Sequence, residues 1–145
     1  MPRQGGTQVV GNVGMYFAAY RLSLMGWNVM PTARNARGVD LLAYDVTAHT
    51  YKGIQVKALS KPKPPVPLGK SIETFMGDFW IIVTNAATSA PVCFIMTPDE
   101  VKRLAHRGEK DGRVSYWLQP NKYHTDEFRE KWDRIGRGDD ATLDG

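Results

Sequence analysis

Two consecutive apolar runs constrain this chain more than any other feature. Gly38-Val39-Asp40-Leu41-Leu42-Ala43-Tyr44 carries an aspartate near its start, and Gly53-Ile54-Gln55-Val56-Lys57-Ala58 carries an amide and a lysine two positions apart. Both runs read as strands. The polar link between them, Val46-Thr47-Ala48-His49-Thr50, is too short for the crossover that parallel strands require, so the pair is expected to be antiparallel. A hairpin centred near residues 47–48 pairs positions whose numbers add to about 95, which sets Asp40 opposite Gln55. Gln55 and Lys57 project from one side of their strand because they are two apart. An unpaired polar group in a dry interior costs roughly 2–7 kcal/mol. An acid, an amide and a lysine meeting at one point of a sheet therefore point to a site.

The chemistry that uses such a trio is phosphodiester hydrolysis. The Asp40 carboxylate is a hard oxygen ligand for a divalent metal, Gln55 offers a neutral carbonyl oxygen, and the backbone carbonyl of Val56 offers another. A metal there would polarise a phosphoryl oxygen and acidify a bound water. Lys57 would orient that water or stabilise charge on the phosphorus oxygens. Charge around these residues agrees. Between Arg34 and Lys70 seven basic residues stand against two acids, a local +5 in a chain whose total is +4. Such a surface favours a polyanion, with Arg34, Arg37, Lys61 and Lys63 as the expected phosphate contacts.

The rest of the chain predicts an α/β domain. Residues 1–8 are Gly-rich and polar and are expected to be flexible. Residues 9–136 are expected to form one domain, and 137–145 a flexible acidic tail. Val9, Val13, Phe17, Tyr20 and Leu24 recur at helical spacing, which predicts a helix whose apolar stripe faces the core and which Gly26 stops. Trp27–Met30 reads as a short strand ended by Pro31. Ser60–Lys70 holds four prolines among its lysines and reads as an extended surface loop. Phe79–Thr84 and Val92–Met96 read as a second hairpin. Thr97-Pro98-Asp99-Glu100 is a capping box, opening a helix expected to reach about His106 and stop at Gly108. Arg113–Leu118 reads as a strand, and Asp126–Ile135 as a closing helix with Phe128, Trp132 and Ile135 on one stripe. The tryptophans and Tyr116 are expected to pack rather than to stack bases.

Other chemistries find no support. The spacing of His49, His106 and His124 does not suggest a zinc site, and Gly11-Asn12-Val13-Gly14 lacks the Gly-Lys-Ser/Thr of a phosphate loop. No apolar run is long enough to span a membrane. The single cysteine, Cys93, sits in an apolar strand, reads as a buried thiol and fits a reducing cytoplasm.

Gly38-Val39-Asp40-Leu41-Leu42 followed by Gln55-Val56-Lys57 resembles the aspartate strand and the Q-x-K form of the E-x-K strand of the PD-(D/E)XK nuclease superfamily. The Gly11-x-x-Gly14 helix ending at Gly26-Trp27 is similar to the first helix of Mrr-type restriction endonucleases and archaeal Holliday-junction resolvases. The resemblance covers roughly residues 9–59. It implies a restriction-endonuclease-like fold, a central mixed β-sheet flanked by helices. It also implies magnesium-dependent (or manganese-dependent) cleavage of DNA, with Asp40, Gln55 and Lys57 as the catalytic set and Asp40, Gln55 and Val56 holding the metal. Two positions depart from the pattern: Met15 stands where many relatives have a glutamate, and Gln55 replaces the second acid. Asp45 and Glu73 are the acids that could compensate. These departures leave a second reading open, a nuclease-fold protein that binds nucleic acid or a protein partner without cutting. A chain this small has no room for a separate specificity domain, so it is expected to form a homodimer, to recognise DNA shape, or to work within a larger complex.

Overall fold

The computed structural model describes residues 6–32 and 38–139. Arg34 and Arg37 lie outside the described residues. In chain order the elements are α1 (Gly6–Leu24), β1 (Asn28–Pro31), β2 (Leu41–Tyr44), β3 (Tyr51–Ala58), β4 (Val66–Gly69), β5 (Phe79–Thr84), β6 (Val92–Met96), α2 (Pro98–Leu104), β7 (His106–Lys110), β8 (Arg113–Leu118) and α3 (Pro120–Tyr123), followed by a 3-10 turn at Trp132–Arg134. Five strands form a mixed sheet in the order β1-β2-β3-β5-β6, and three form a smaller antiparallel sheet in the order β4-β8-β7.

The hairpin of β2 and β3 has the expected register, with Leu41 opposite Ile54 and Tyr44 opposite Tyr51. Its turn is held by the buried Asp45 carboxylate, which accepts from the backbone of His49 at 2.9 Å and of Thr50 at 3.2 Å. On its other edge β3 runs parallel to β5, and β5 returns antiparallel as β6, the second expected hairpin. Strands β5 and β6 are apolar except for Thr84 at the end of β5, and both of their faces are covered. One face carries α1, with Leu41, Ala43, Ile54, Ile81, Val83 and Ile95 beneath it. The other carries the small sheet and α2, through Val66, Leu68, Leu118 and Val101 packed on Trp80, Ile82, Phe94 and Met96. The Thr97 capping box forms as expected, and Cys93 is fully buried.

Four sequence expectations change. First, α1 begins at Gly6, inside the segment expected to be flexible, and it turns the opposite side to the sheet. Its buried line is Gly14, Ala18 and Leu22, whereas Val9, Val13, Tyr20 and Leu24 are exposed. Small residues win this face because the helix lies close on β3: a Cβ at Gly14 would collide with Ala58 Cβ and stand 3.6 Å from Val83 Cβ. Second, the proline-rich segment contains β4. Pro67 is tolerated because β4 is an edge strand, with Val66 and Leu68 turned inward and Pro67 outward. Third, the helix after Thr97 ends at Leu104, and His106–Lys110 is the strand β7 rather than its last turn. Fourth, Asp126–Ile135 is not a helix. Glu130 adopts a φ of 52°, and the segment docks along β6 through Ile95 N–H to Phe128 O and Glu130 N–H to Cys93 O. It wraps the sheet edge, placing Phe128 in one core and Trp132 and Ile135 in the other.

The start of the expected acidic tail is packed: Gly138 is buried against Trp27, donates to Met25 O and accepts from Val46 N–H. No helix among the described residues is long and apolar enough to cross a membrane.

The contrast between two helical glycines gives a prediction. A Cβ at Gly11 meets nothing within 4 Å, so Gly11→Ala is expected to stabilise the fold by about 0.5–1 kcal/mol through helix propensity alone. Gly14→Ala gains the same propensity but overpacks the α1–β3 contact, and a net loss of about 1–2 kcal/mol is expected. Urea midpoints of the two variants check the opposite signs.

Candidate active site at the end of the β2–β3 ladder

The site arises where a strand outruns its partner. β2 begins at Leu41, opposite Ile54, and the last backbone rung is Asp40 N–H to Ile54 O at 2.8 Å. Beyond this point β3 continues, and the Val56 N–H on its β2 side has no strand to meet. The Asp40 carboxylate supplies the missing acceptor: its Oδ2 receives Val56 N–H at 2.8 Å and Gln55 Nε2 at 2.9 Å. The backbone of Asp40 is itself fixed, with its carbonyl accepting from Thr32 N–H at 2.9 Å. In an extended strand the N–H and C=O of one residue point to the same side, so the Val56 carbonyl also faces Asp40. Three of the expected residues are thus joined by direct bonds.

Lys57 completes the group. Gln55 and Lys57 line one pocket of about 200 Å³ whose wall includes Trp80, Phe75 and Leu68. Lys57 Nζ lies 5.8 Å from the centre of the Trp80 ring. Burial pushes the Lys57 amine below the usual lysine range, and the charge of Asp40 opposes that shift in part. The site opens on the face that carries the small sheet, because Ile54 and Ala58 occupy the α1 face while Gln55 and Lys57 pair across to Trp80 and Ile82.

The remaining expected residues are placed differently. Lys61 and Lys63 are exposed on the segment that follows β3. The Asp45 carboxylate is spent on the hairpin turn, and the donors of Thr50, His49 and Thr47 outweigh its burial and hold it below the usual carboxylate range. Glu73 is exposed on the segment leading to β5. Met15 packs at the margin of the core beneath α1, on the face away from Gln55 and Lys57. Among the described residues no three His, Cys, Asp or Glu side chains cluster to hold a metal.

The donor set still suits one class of ion. Asp40 Oδ1 receives no hydrogen bond from the described residues, and the Gln55 oxygen and Val56 carbonyl are the other hard donors. Magnesium commonly takes one or two carboxylates and completes its shell with water and substrate phosphate, so a single carboxylate fits an ion shared with a phosphate. The sequence reading missed Ser71, Thr74, Phe75 and Met76, which also line the pocket. Phe75 packs against Trp80 with ring centres 4.7 Å apart and planes tilted by 50°, and the glycines Gly69 and Gly77, both at positive φ, were the available signal for a shaped segment between them. Trp80 packs as expected and also forms a wall of the pocket, where its buried indole N–H has no acceptor among the described residues.

Lys57 gives a pH prediction. Its folded value lies below its unfolded one, so between those two values the unfolded chain binds more protons and stability rises with pH. Lys57→Met is expected to raise the melting temperature at neutral pH and to remove that alkaline rise. Thermal melts across pH 7–10 check both effects.

The sequence matches no protein-family model and no curated protein. Among solved structures the fold is similar to that of a bacterial homing endonuclease, I-Ssp6803I, with a TM-score of 0.60 and 20% sequence identity over 90% of this chain and 93% of that one. The chain therefore has a mixed α/β fold of the kind found in a nuclease, with helices flanking the central sheet.

Proposed function

We propose that the protein is a metal-dependent DNA endonuclease of the PD-(D/E)XK type, with Asp40, Gln55 and Lys57 as its catalytic set. The observation that carries this reading is Asp40 Oδ2 held at once by Gln55 and by the Val56 N–H, with Lys57 in the adjoining pocket. Asp40 stands beside a lysine that shares its pocket with Trp80, where burial disfavours the ammonium charge. The fold shared with a homing endonuclease supports the same class of reaction.

Asp40, Gln55 and the Val56 carbonyl would hold Mg²⁺, or Mn²⁺ in its place, with the Gln55 amide turned so that its oxygen faces the ion. The ion would supply Lewis acidity at a phosphoryl oxygen and a more acidic water. The chain's own residues do the rest. Lys57, whose charge is costly in its pocket, gains a partner when a phosphate enters and is positioned to stabilise charge on the phosphorus oxygens or to align the attacking water. The exposed Lys61 and Lys63 follow directly on β3 and would hold flanking phosphates without reading sequence.

A second reading rests on Gln55 and Met15: with one carboxylate, the protein would bind DNA or a protein partner without cutting. Supercoiled, branched and single-stranded DNA incubated with Mg²⁺ or Mn²⁺ separates the two. Cleavage is expected, reduced roughly 100-fold or more by Asp40→Ala and by Lys57→Ala, and lost in a chelator. DNA binding without cleavage, unchanged in Asp40→Ala, would leave only the second reading.

A further inference from the structure

A lysine ends in a point charge on a flexible stem, so a lysine that does chemistry needs something to hold it. The usual holder is an acceptor or an acid. Among the described residues the Lys57 ammonium makes no hydrogen bond and no ion pair, and the charge of Asp40 reaches it across space. What the ammonium does meet is the face of Trp80, with Nζ 5.8 Å from the ring centre. That distance lies inside the roughly 6 Å over which an aromatic face attracts a cation, and tryptophan is the strongest of the rings. The ring is itself held by packing. Trp80 is 3% exposed, stands in β5 opposite Gln55, and shares a core with Leu68 and Ile82. Phe75 lies against it with ring centres 4.7 Å apart. The indole N–H, by contrast, has no acceptor among the described residues. A phenylalanine would supply an aromatic core residue without stranding a buried donor, which carries a cost. What tryptophan adds at this place is the broader π face beneath Lys57.

We propose that Trp80 is the positioning residue of Lys57: its ring face holds the ammonium in the pocket beside Gln55, and Phe75 holds the ring. The nuclease reading supplies what the ammonium does there, so the proposal rests on that reading for its consequence and on the contact alone for its geometry. A ring face suits this task better than a carboxylate. An acid paired to Lys57 would neutralise it and compete with an incoming phosphate. A ring leaves the charge whole and the three N–H donors of the ammonium unspent. The phosphate therefore meets a cation that is already placed and still unpaired, in a pocket whose apolar wall of Leu68, Phe75 and Trp80 strengthens the attraction.

Proton NMR of the full chain with lysine labelled at Cε tests the contact without turnover. The Lys57 Hε signals, identified by their loss in Lys57→Met, are expected upfield of those of the other lysines, because they lie over the ring. The displacement is expected to vanish in Trp80→Leu, to be largely kept in Trp80→Phe and to shrink in Phe75→Leu. Phe75 is only half-buried, so this last variant still decides the matter where Trp80→Leu fails to fold. Cleavage then separates positioning from packing. At saturating DNA and Mg²⁺, Trp80→Leu is expected to lower the rate roughly 10-fold with little change in KM. The residual rate of Lys57→Ala is expected not to fall further when Trp80→Leu is added. Lys57 Hε at ordinary positions in the wild type, a displacement that persists in Trp80→Leu, or an equal loss of rate with and without Lys57 would each overturn the proposal. A wild-type protein that cuts no DNA would remove the nuclease reading, and the Hε displacement alone would then decide whether Trp80 holds Lys57.

Discussion

One carboxylate oxygen organises the functional end of this molecule. Asp40 Oδ2 accepts the Val56 N–H that β2 is too short to pair and the Gln55 amide beside it. Each bond to a charged acceptor is worth about 1.5–3 kcal/mol net, enough to keep the outrunning end of β3 in register. The same bonds fix where Oδ1 and the Val56 carbonyl stand, so holding the strand and placing these oxygens are one task. β3 can extend alone because its other edge is paired in parallel to β5 from Ile54 to Ala58, and its underside is clamped by α1 at Gly14.

The division of the sheet into two faces explains why the site is polar on one side only. Ile54 and Ala58 seal the α1 face, while Gln55 and Lys57 open toward Trp80, Phe75 and the small sheet. Lys57 is thereby held in an apolar setting where burial disfavours its charge, and the carboxylate of Asp40 offsets part of that cost. A half-buried cation of this kind gains most when an anion arrives, which links the packing of β3 to the proposed phosphate chemistry. A second structural lock lies two strands across the sheet, at Ile95. Arg134 forks onto Glu100 at 2.8–2.9 Å and also donates to Ile95 O, fastening the irregular closing segment to α2 and to β6.

How far the sequence foretold this varies with how local the governing physics is. The β2–β3 register followed from a short link and from strand periodicity, and it carried Asp40 to Gln55 correctly. The Thr97 capping box is a four-residue matter and formed as read. Where tertiary context decided, the pattern misled. The larger side chains of α1 suggested a core stripe, but the close approach to Ala58 selected Gly14, Ala18 and Leu22 instead. Phe128, Trp132 and Ile135 are buried at helical spacing, yet they reach two different cores because the backbone runs beside β6 with Glu130 at positive φ. β4 hid among prolines because only its edge position makes Pro67 acceptable. The pocket wall from Ser71 to Met76 has no periodic signature, since its role comes from lying over Lys57 rather than from its own pattern.

The central claim is that Asp40, Gln55, Val56 and Lys57 form one ion-assisted hydrolytic centre. Paramagnetic broadening by Mn²⁺ in an NMR spectrum tests it without relying on turnover. The account predicts selective loss of the Val56 backbone amide and Gln55 side-chain amide signals at low Mn²⁺, abolished by Asp40→Ala. Broadening centred elsewhere, or unchanged in Asp40→Ala, would contradict it.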